Sequence, residues 1–91
     1  MADAIITFKI MPESPDIDLD MVESEATKLI SQAGGEVGKS EKIPIAFGLV
    51  SLNLIFVIDE KLGGTDDLEL QIQKIEGVNS VEVTDVRRAI G

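Results

Sequence analysis

Apolar and polar residues alternate strictly at the start of the chain. In AIITFKIM, residues 4–11, Ile6, Phe8 and Ile10 share one side, while Ile5, Thr7 and Lys9 share the other. A period of two describes a half-buried strand, and Pro12 and Pro15 end it. The period then changes. Leu19, Val22, Ala26, Leu29, Ile30 and Ala33 fall on one stripe at helical spacing. Asp18 stands in the N-cap position, and Ile17 and Val22 have the spacing of a hydrophobic staple around it. Asp20 and Glu23 lie early in the helix and Lys28 late, as the helix dipole favours. Gly34-Gly35 stops the helix.

Residues 36–43 form a weaker, more polar strand, and its Lys39 and Lys42 suit a sheet edge. A turn follows over Pro44–Gly48. LVSLNLIFVID, residues 49–59, is the strongest strand pattern in the chain. Val50, Leu52, Leu54, Phe56 and Ile58 make one apolar face; Leu49, Ser51, Asn53, Ile55 and Val57 occupy the other. A run this apolar belongs in the middle of a sheet. Gly63-Gly64 breaks it. Thr65 can cap a second helix with Asp66 and Asp67 in its first turn, Leu68, Ile72 and Ile75 as its stripe, Lys74 near its end and Gly77 beyond it. VNSVEVTDV, residues 78–86, alternates again, Val81 and Val83 against Glu82 and Thr84.

The predicted order is strand, helix, strand, strand, helix, strand, with no repeat or low-complexity segment. That is the βαββαβ pattern of the ferredoxin-like α+β sandwich. Right-handed crossovers and one hairpin give a four-stranded antiparallel sheet in the order 4-1-3-2, with two helices on one face. Strand direction then places the 44–48 turn at one end of the sheet and Arg87, Arg88 and the C-terminus at the other.

Composition narrows what such a fold does here. The chain has 91 residues, one domain by length, spanning 1–91. It contains no cysteine and no histidine. Disulfides, thiolate metal sites and the commonest general base are therefore excluded, and no cofactor or metal is expected. The net charge is −9, from 17 acidic and 8 basic residues, and the longest basic run is Arg87-Arg88. Such a surface repels nucleic acid and suits a basic partner surface. No bilayer-spanning stretch and no signal peptide are visible, so a cytoplasmic protein that acts as it stands is expected.

The fold is shared by many functions, so the candidate sites decide. RNA recognition on this sheet needs aromatics stacked on the open face. Phe8 and Phe56 share their phase with the main aliphatic set and point at the helices, leaving Thr7, Lys9, Ser51 and Asn53 on the open face. Asp59-Glu60 and Asp66-Asp67 are the tight carboxylate pairs, but a strand end and a helix N-terminus account for them. No nucleophile–base pair is discernible. Gly63-Gly64 precedes a helix without the lysine of a phosphate loop, and the acids at 66, 67 and 69 would repel phosphate. Phe47 is one of only three aromatics, and it lies in a turn. Two readings fit it: it folds back to cap the sheet edge, or it stands out as an anchor for a partner's pocket.

PIAFGL at 44–49, GVNSVEVTDV at 77–86 and IMPESPDIDLD at 10–20 together resemble the archaeal translation elongation factor 1-beta family over nearly the whole chain. The resemblance implies a guanine-nucleotide exchange factor that performs no covalent catalysis. Its implied partner is elongation factor 1-alpha, the GTPase that delivers aminoacyl-tRNA. It implies that a hairpin loop of Pro44, Ile45, Phe47 and Gly48 docks on the GTPase. The opposite end, with Arg87, Arg88, Ile90 and Gly91, would approach the nucleotide and its magnesium. Eukaryotic members carry a lysine near the C-terminus there; this chain has Gly91 in its place and no lysine after Lys74. Arg87 and Arg88 are the nearest cations, and on a strand they point to opposite faces. The rival reading is a ligand-sensing or oligomerising domain of the same fold, paired through Ile5, Leu49, Ile55 and Val57 on its open face. Light scattering on the isolated protein separates them: a particle of about 9.8 kDa is expected, whereas a stable dimer favours the rival.

Overall fold

The computed structural model describes residues 3–59 and 65–89. The elements are β1 (Asp3–Pro12), α1 (Leu19–Gln32), β2 (Glu36–Pro44), β3 (Val50–Asp59), α2 (Asp66–Gln73) and β4 (Val78–Ala89). They form one four-stranded sheet in the order β2-β3-β1-β4, with every neighbouring pair antiparallel. This is the expected ferredoxin-like arrangement. Of the residues singled out above, Glu60, Gly63-Gly64, Ile90 and Gly91 lie outside the described residues.

The strict alternation of β1 is its burial pattern. Ala4, Ile6, Phe8 and Ile10 are buried; Ile5, Thr7 and Lys9 are half-buried on the other face. β3 pairs with β1 so that Phe8 lies opposite Leu54 and Ile6 opposite Phe56. The rings of Phe8 and Phe56 meet edge-on, with centroids 4.8 Å apart and planes at 71°. Two of the three aromatics are thereby fully buried beneath Val22, Ala26 and Ile30 of α1 and Leu68 and Ile72 of α2. An edge-to-face aromatic pair adds about 0.5–1.5 kcal/mol beyond area burial. It also leaves no ring on the open face of these strands, so base stacking has no platform there.

Asp18 caps α1 as its position predicts. Its Oδ1 accepts from the Asp20 and Met21 amides at 3.0 and 3.4 Å. Ile17 packs on the core ahead of the cap. Three helix-end expectations are corrected. Ala33 is the C-cap of α1 and is exposed, because the helix ends before its stripe does. Thr65 occupies the N-cap of α2 but makes no side-chain capping bond, its backbone lying at φ −91°, ψ 4° rather than in the extended region. Ile75 likewise lies past the end of α2, yet still packs against the core.

Edge-strand irregularities explain where simple alternation fails. β2 bulges at Gly38, between the pairs Val37–Phe56 and Lys39–Ile55. β4 bulges at Asn79 and again at Thr84. After Thr84 the phase reverses: Asp85 and Arg87 lie opposite Thr7 and Ile5 on the open face, while Val86 and Arg88 lie opposite Ile6 and Ala4 on the helix side. Such bulges twist an edge and spoil it as a template for further strands. Ser51 and Asn53, expected to be offered on the open face, are instead buried. The Asn53 Nδ2 donates to Ser51 Oγ at 3.4 Å, and Ser51 Oγ donates to the Ile43 carbonyl at 3.3 Å. This short relay ties the edge strand β2 to β3 just below the hairpin.

Lys42 on β2 reaches across the helix-side surface to the Asp20 carboxylate of α1. That hydrogen bond, with the surrounding acids Asp20, Glu23 and Asp18, raises the ammonium pKa against a smaller desolvation penalty. Glu69 of α2 behaves oppositely to a paired acid. Partial burial, then the neighbouring Asp66 charge, raises its pKa above 4.5. A carboxyl with a raised folded-state pKa costs stability as it ionises, so its penalty grows as pH climbs through and above the ordinary carboxyl range. Glu69→Gln should therefore match the parent near pH 4 and exceed it at pH 7, by less than about 0.5 kcal/mol. Urea midpoints at the two pH values check this; an equal offset at both would remove the ionisation cost as its cause.

Candidate functional site

The strand directions send the two candidate regions to opposite poles. Pro44 of β2 pairs with Val50 of β3, so the connecting hairpin closes one end of the sheet. Asp3 pairs with both Asp59 and Ala89, so the C-terminal end of β4 lies at the other. At a rise of about 3.3 Å per residue, the seven steps from Val50 to Val57, the latter level with Ile5 and Arg87, span on the order of 23 Å before the hairpin itself is added.

The hairpin is short and tightly bonded. The Ile45 amide donates to the Leu49 carbonyl at 2.8 Å, and the Leu49 amide donates to the Ala46 carbonyl at 3.0 Å. Within that turn Phe47 has φ 55° and Gly48 φ 78°. Positive φ at both central residues is the signature of a type I′ turn, whose twist suits a hairpin. Glycine adopts it readily. Phenylalanine does not: the left-handed region costs a residue with a β-carbon roughly 1–2 kcal/mol. Phe47 nevertheless occupies it, and it is the one described non-glycine residue with positive φ.

Phe47 is also 97% exposed. The reading in which it folds back over the sheet edge is thereby excluded. Its ring buries nothing within this chain, so neither packing nor backbone preference accounts for a phenylalanine at this position. Pro44, Ile45 and Gly48 surround it, all exposed, and Ile43 continues the apolar strip down β2. Pro15 of the β1–α1 loop lies beside the tip: a β-carbon on Gly48 would stand 3.7–3.8 Å from the Pro15 ring. The same loop meets the α2–β4 turn. The Glu13 amide donates to the Gly77 carbonyl at 2.8 Å, and Ile17 approaches Gly77 so closely that a β-carbon there would lie 2.9 Å from Ile17 Cγ2. This pole is thus a set of mutually supported loops carrying an exposed ring.

The other pole is charged. The Arg87 Nε donates to Asp85 Oδ2 at 2.8 Å, both side chains well exposed. An exposed pair of this kind contributes about 0–1 kcal/mol, so Arg87 is free to exchange Asp85 for another carboxylate or a phosphate at small cost. The expected divergence of Arg87 and Arg88 holds, Arg87 on the open face and Arg88 on the helix side. The Thr84 bulge sets that assignment. Unbroken alternation from Val83 would have put Arg87 on the helix side, and only the one-step-longer spacing from Val83 to Val86 hints at the change.

Among the described residues no group of three or more acidic, histidine or cysteine side chains could hold a metal ion, and no helix is long and apolar enough to cross a membrane. Residues 5–89 match the model of the family described as the EF-1 guanine nucleotide exchange domain. The chain is 48% identical over 88 residues to elongation factor 1-beta of Methanothermobacter thermautotrophicus, covering 97% of this chain and 98% of that one. It is 49% identical, with the same coverage, to elongation factor 1-beta of Methanobrevibacter smithii. Among solved structures, the ACT domain of a GTP pyrophosphokinase from Chlorobium tepidum superposes with a TM-score of 0.60, covering 89% of this chain and 97% of that domain. At 20% identity that likeness is one of fold.

Substitution separates the two demands on residue 47. Phe47→Asn places a residue that tolerates left-handed backbone in the turn and removes an unburied ring. It should raise stability by about 0.5–1 kcal/mol, several degrees in Tm for a domain this size. Thermal unfolding that falls by a comparable amount would mean that the ring packs on the fold.

Proposed function

The chain belongs to the EF-1 guanine nucleotide exchange domain family, and from that premise we propose how this guanine-nucleotide exchange factor engages its GTPase. The partner is elongation factor 1-alpha, as the resemblance of PIAFGL and GVNSVEVTDV implies. The factor acts as a monomeric cytoplasmic unit of residues 1–91 and performs no covalent chemistry. The hairpin Pro44, Ile45, Phe47 and Gly48 docks on a body of the GTPase away from its nucleotide. The far pole, with Arg87, Arg88, Ile90 and Gly91, then reaches the nucleotide and magnesium site.

One observation carries this reading: a phenylalanine 97% exposed, in a backbone conformation it disfavours, at a hairpin tip. A rigid aromatic held clear of the body loses little entropy on entering a pocket, which is what makes such residues binding hot spots. The separation of the poles supplies the rest. A protein fixed at one end holds its other end at a set distance from the anchor, so contacts at the second pole gain from the first.

Exchange needs differential affinity. The factor must bind the nucleotide-free GTPase more tightly than the GDP-bound form, since equal affinity for both shifts nothing. A thousandfold faster release requires about 4 kcal/mol off the barrier. A cation placed where magnesium binds weakens the metal's hold by repulsion, and Arg87, whose ion pair among the described residues is with an exposed Asp85, is available for that role. The net charge of −9 favours encounter with a basic partner surface.

Release of a fluorescent GDP analogue from elongation factor 1-alpha tests the assignment. Phe47→Ala should raise the half-saturating factor concentration by about thirtyfold, as loss of a 2 kcal/mol hot spot does, with the limiting rate retained. Arg87→Ala or Arg88→Ala should lower the limiting rate instead. Unchanged release with both arginine variants removes the charge-based wedge. Unchanged half-saturation with Phe47→Ala removes the anchor.

A further inference from the structure

A groove runs between the two helices at the same pole as Phe47. Met21 and Glu25 of α1 form one wall, and Ile75 and Glu76, just past the end of α2, form the other. Its volume is about 250 Å³, below the 300–1,000 Å³ usual for small-molecule sites. It fits one inserted side chain better than a ligand. Met21 is 48% exposed although it sits in the first turn of a helix whose neighbouring Val22 is fully buried. Neither Glu25 nor Glu76 forms an ion pair with any described residue, Lys28 and Lys74 included. The C-terminal end of α2 adds the negative end of its dipole.

We infer that this groove receives a lysine or arginine side chain of the GTPase, as a second contact at the pole that carries Phe47. The inference rests on the exchange reading above and extends its surface from the sheet side to the helix side. The chemistry is complementary along the whole side chain. The aliphatic stem of a basic residue lies on the Met21 thioether and the Ile75 side chain, and its charge reaches the two carboxylates at the rim. The groove connects to the hairpin through neighbouring loops: Pro15 lies beside Gly48, and two residues on Ile17 approaches Gly77, which adjoins Glu76. A partner that takes in Phe47 therefore meets the groove on the same pole. Loss of the paired carboxylates leaves a desolvated cation facing apolar walls, which slows no chemistry but speeds dissociation.

The test is nucleotide release at varied factor concentration with Glu25→Gln/Glu76→Gln, beside Phe47→Ala and a charge-matched control, Glu36→Gln/Glu82→Gln, whose residues are exposed and away from the groove. The groove double variant should raise half-saturation about five- to tenfold at low salt with the limiting rate unchanged, and the gap should narrow as salt rises. The control should shift it less than twofold. A groove variant within twofold of the parent, while Phe47→Ala still weakens binding, overturns the groove and leaves the anchor standing. An equal loss in the control pair overturns it too, because general charge steering then suffices. If the parent itself accelerates no release, the exchange reading fails and the groove assignment with it.

Discussion

The edge-on contact of Phe8 and Phe56 decides which face of the sheet is inside. The two rings come from adjacent central strands, β1 and β3, and a shift of one residue in either strand would turn one of them to the open face. With both buried under α1 and α2, the strand phase, the register and the polarity of the sheet follow. So does the separation of hairpin and C-terminus, because antiparallel neighbours fixed in register have fixed ends. The third aromatic is then the exception that needs a reason outside the chain. Phe47 takes no part in that core and stands in a backbone region that phenylalanine avoids.

Strain at an exposed position is informative because nothing in the fold repays it. A buried residue in an awkward conformation is accounted for by its contacts. Phe47 has Pro15 near the neighbouring Gly48, but no burial of its own. Stability would be served by asparagine or glycine there, so the ring is not explained by the fold. The family match spans residues 5–89 and shows a guanine nucleotide exchange domain; docking on the GTPase is the role proposed for the tip. The opposite pole is a different kind of surface, where an exposed Arg87 pairs with an exposed Asp85.

Most of the fold was legible because its central strands obey simple periods. Ile6, Phe8 and Ile10, and then Leu52, Leu54 and Phe56, read directly as buried faces, and Asp18 read as a cap. The edges did not read so well. Bulges at Gly38, Asn79 and Thr84 change phase without any strong local signal, since an edge strand tolerates an unpaired residue that a central strand does not. Thr65 looked like a capping residue, but capping needs backbone geometry that composition does not specify. Ser51 and Asn53 looked like exposed polar positions. Once buried, they are satisfied by the β2–β3 relay to the Ile43 carbonyl, a tertiary arrangement that alternation does not encode. For the candidate site, sequence pointed at Phe47 but left its orientation open. The groove of Met21, Glu25, Ile75 and Glu76 had no sequence signal, because it joins residues brought together only by helix packing.

In the proposed engagement one GTPase is held at two distant poles, with the sheet between them acting as a spacer. Amide chemical shifts of the isotope-labelled chain, followed while nucleotide-free elongation factor 1-alpha is added, test it directly. Perturbation at residues 45–49 together with 85–89, and little change at Thr7, Asn53 and Ile55 in the middle of the sheet, is the predicted pattern. Shifts centred on Ile5, Ile55 and Val57 of the open face, with the hairpin silent, would contradict it.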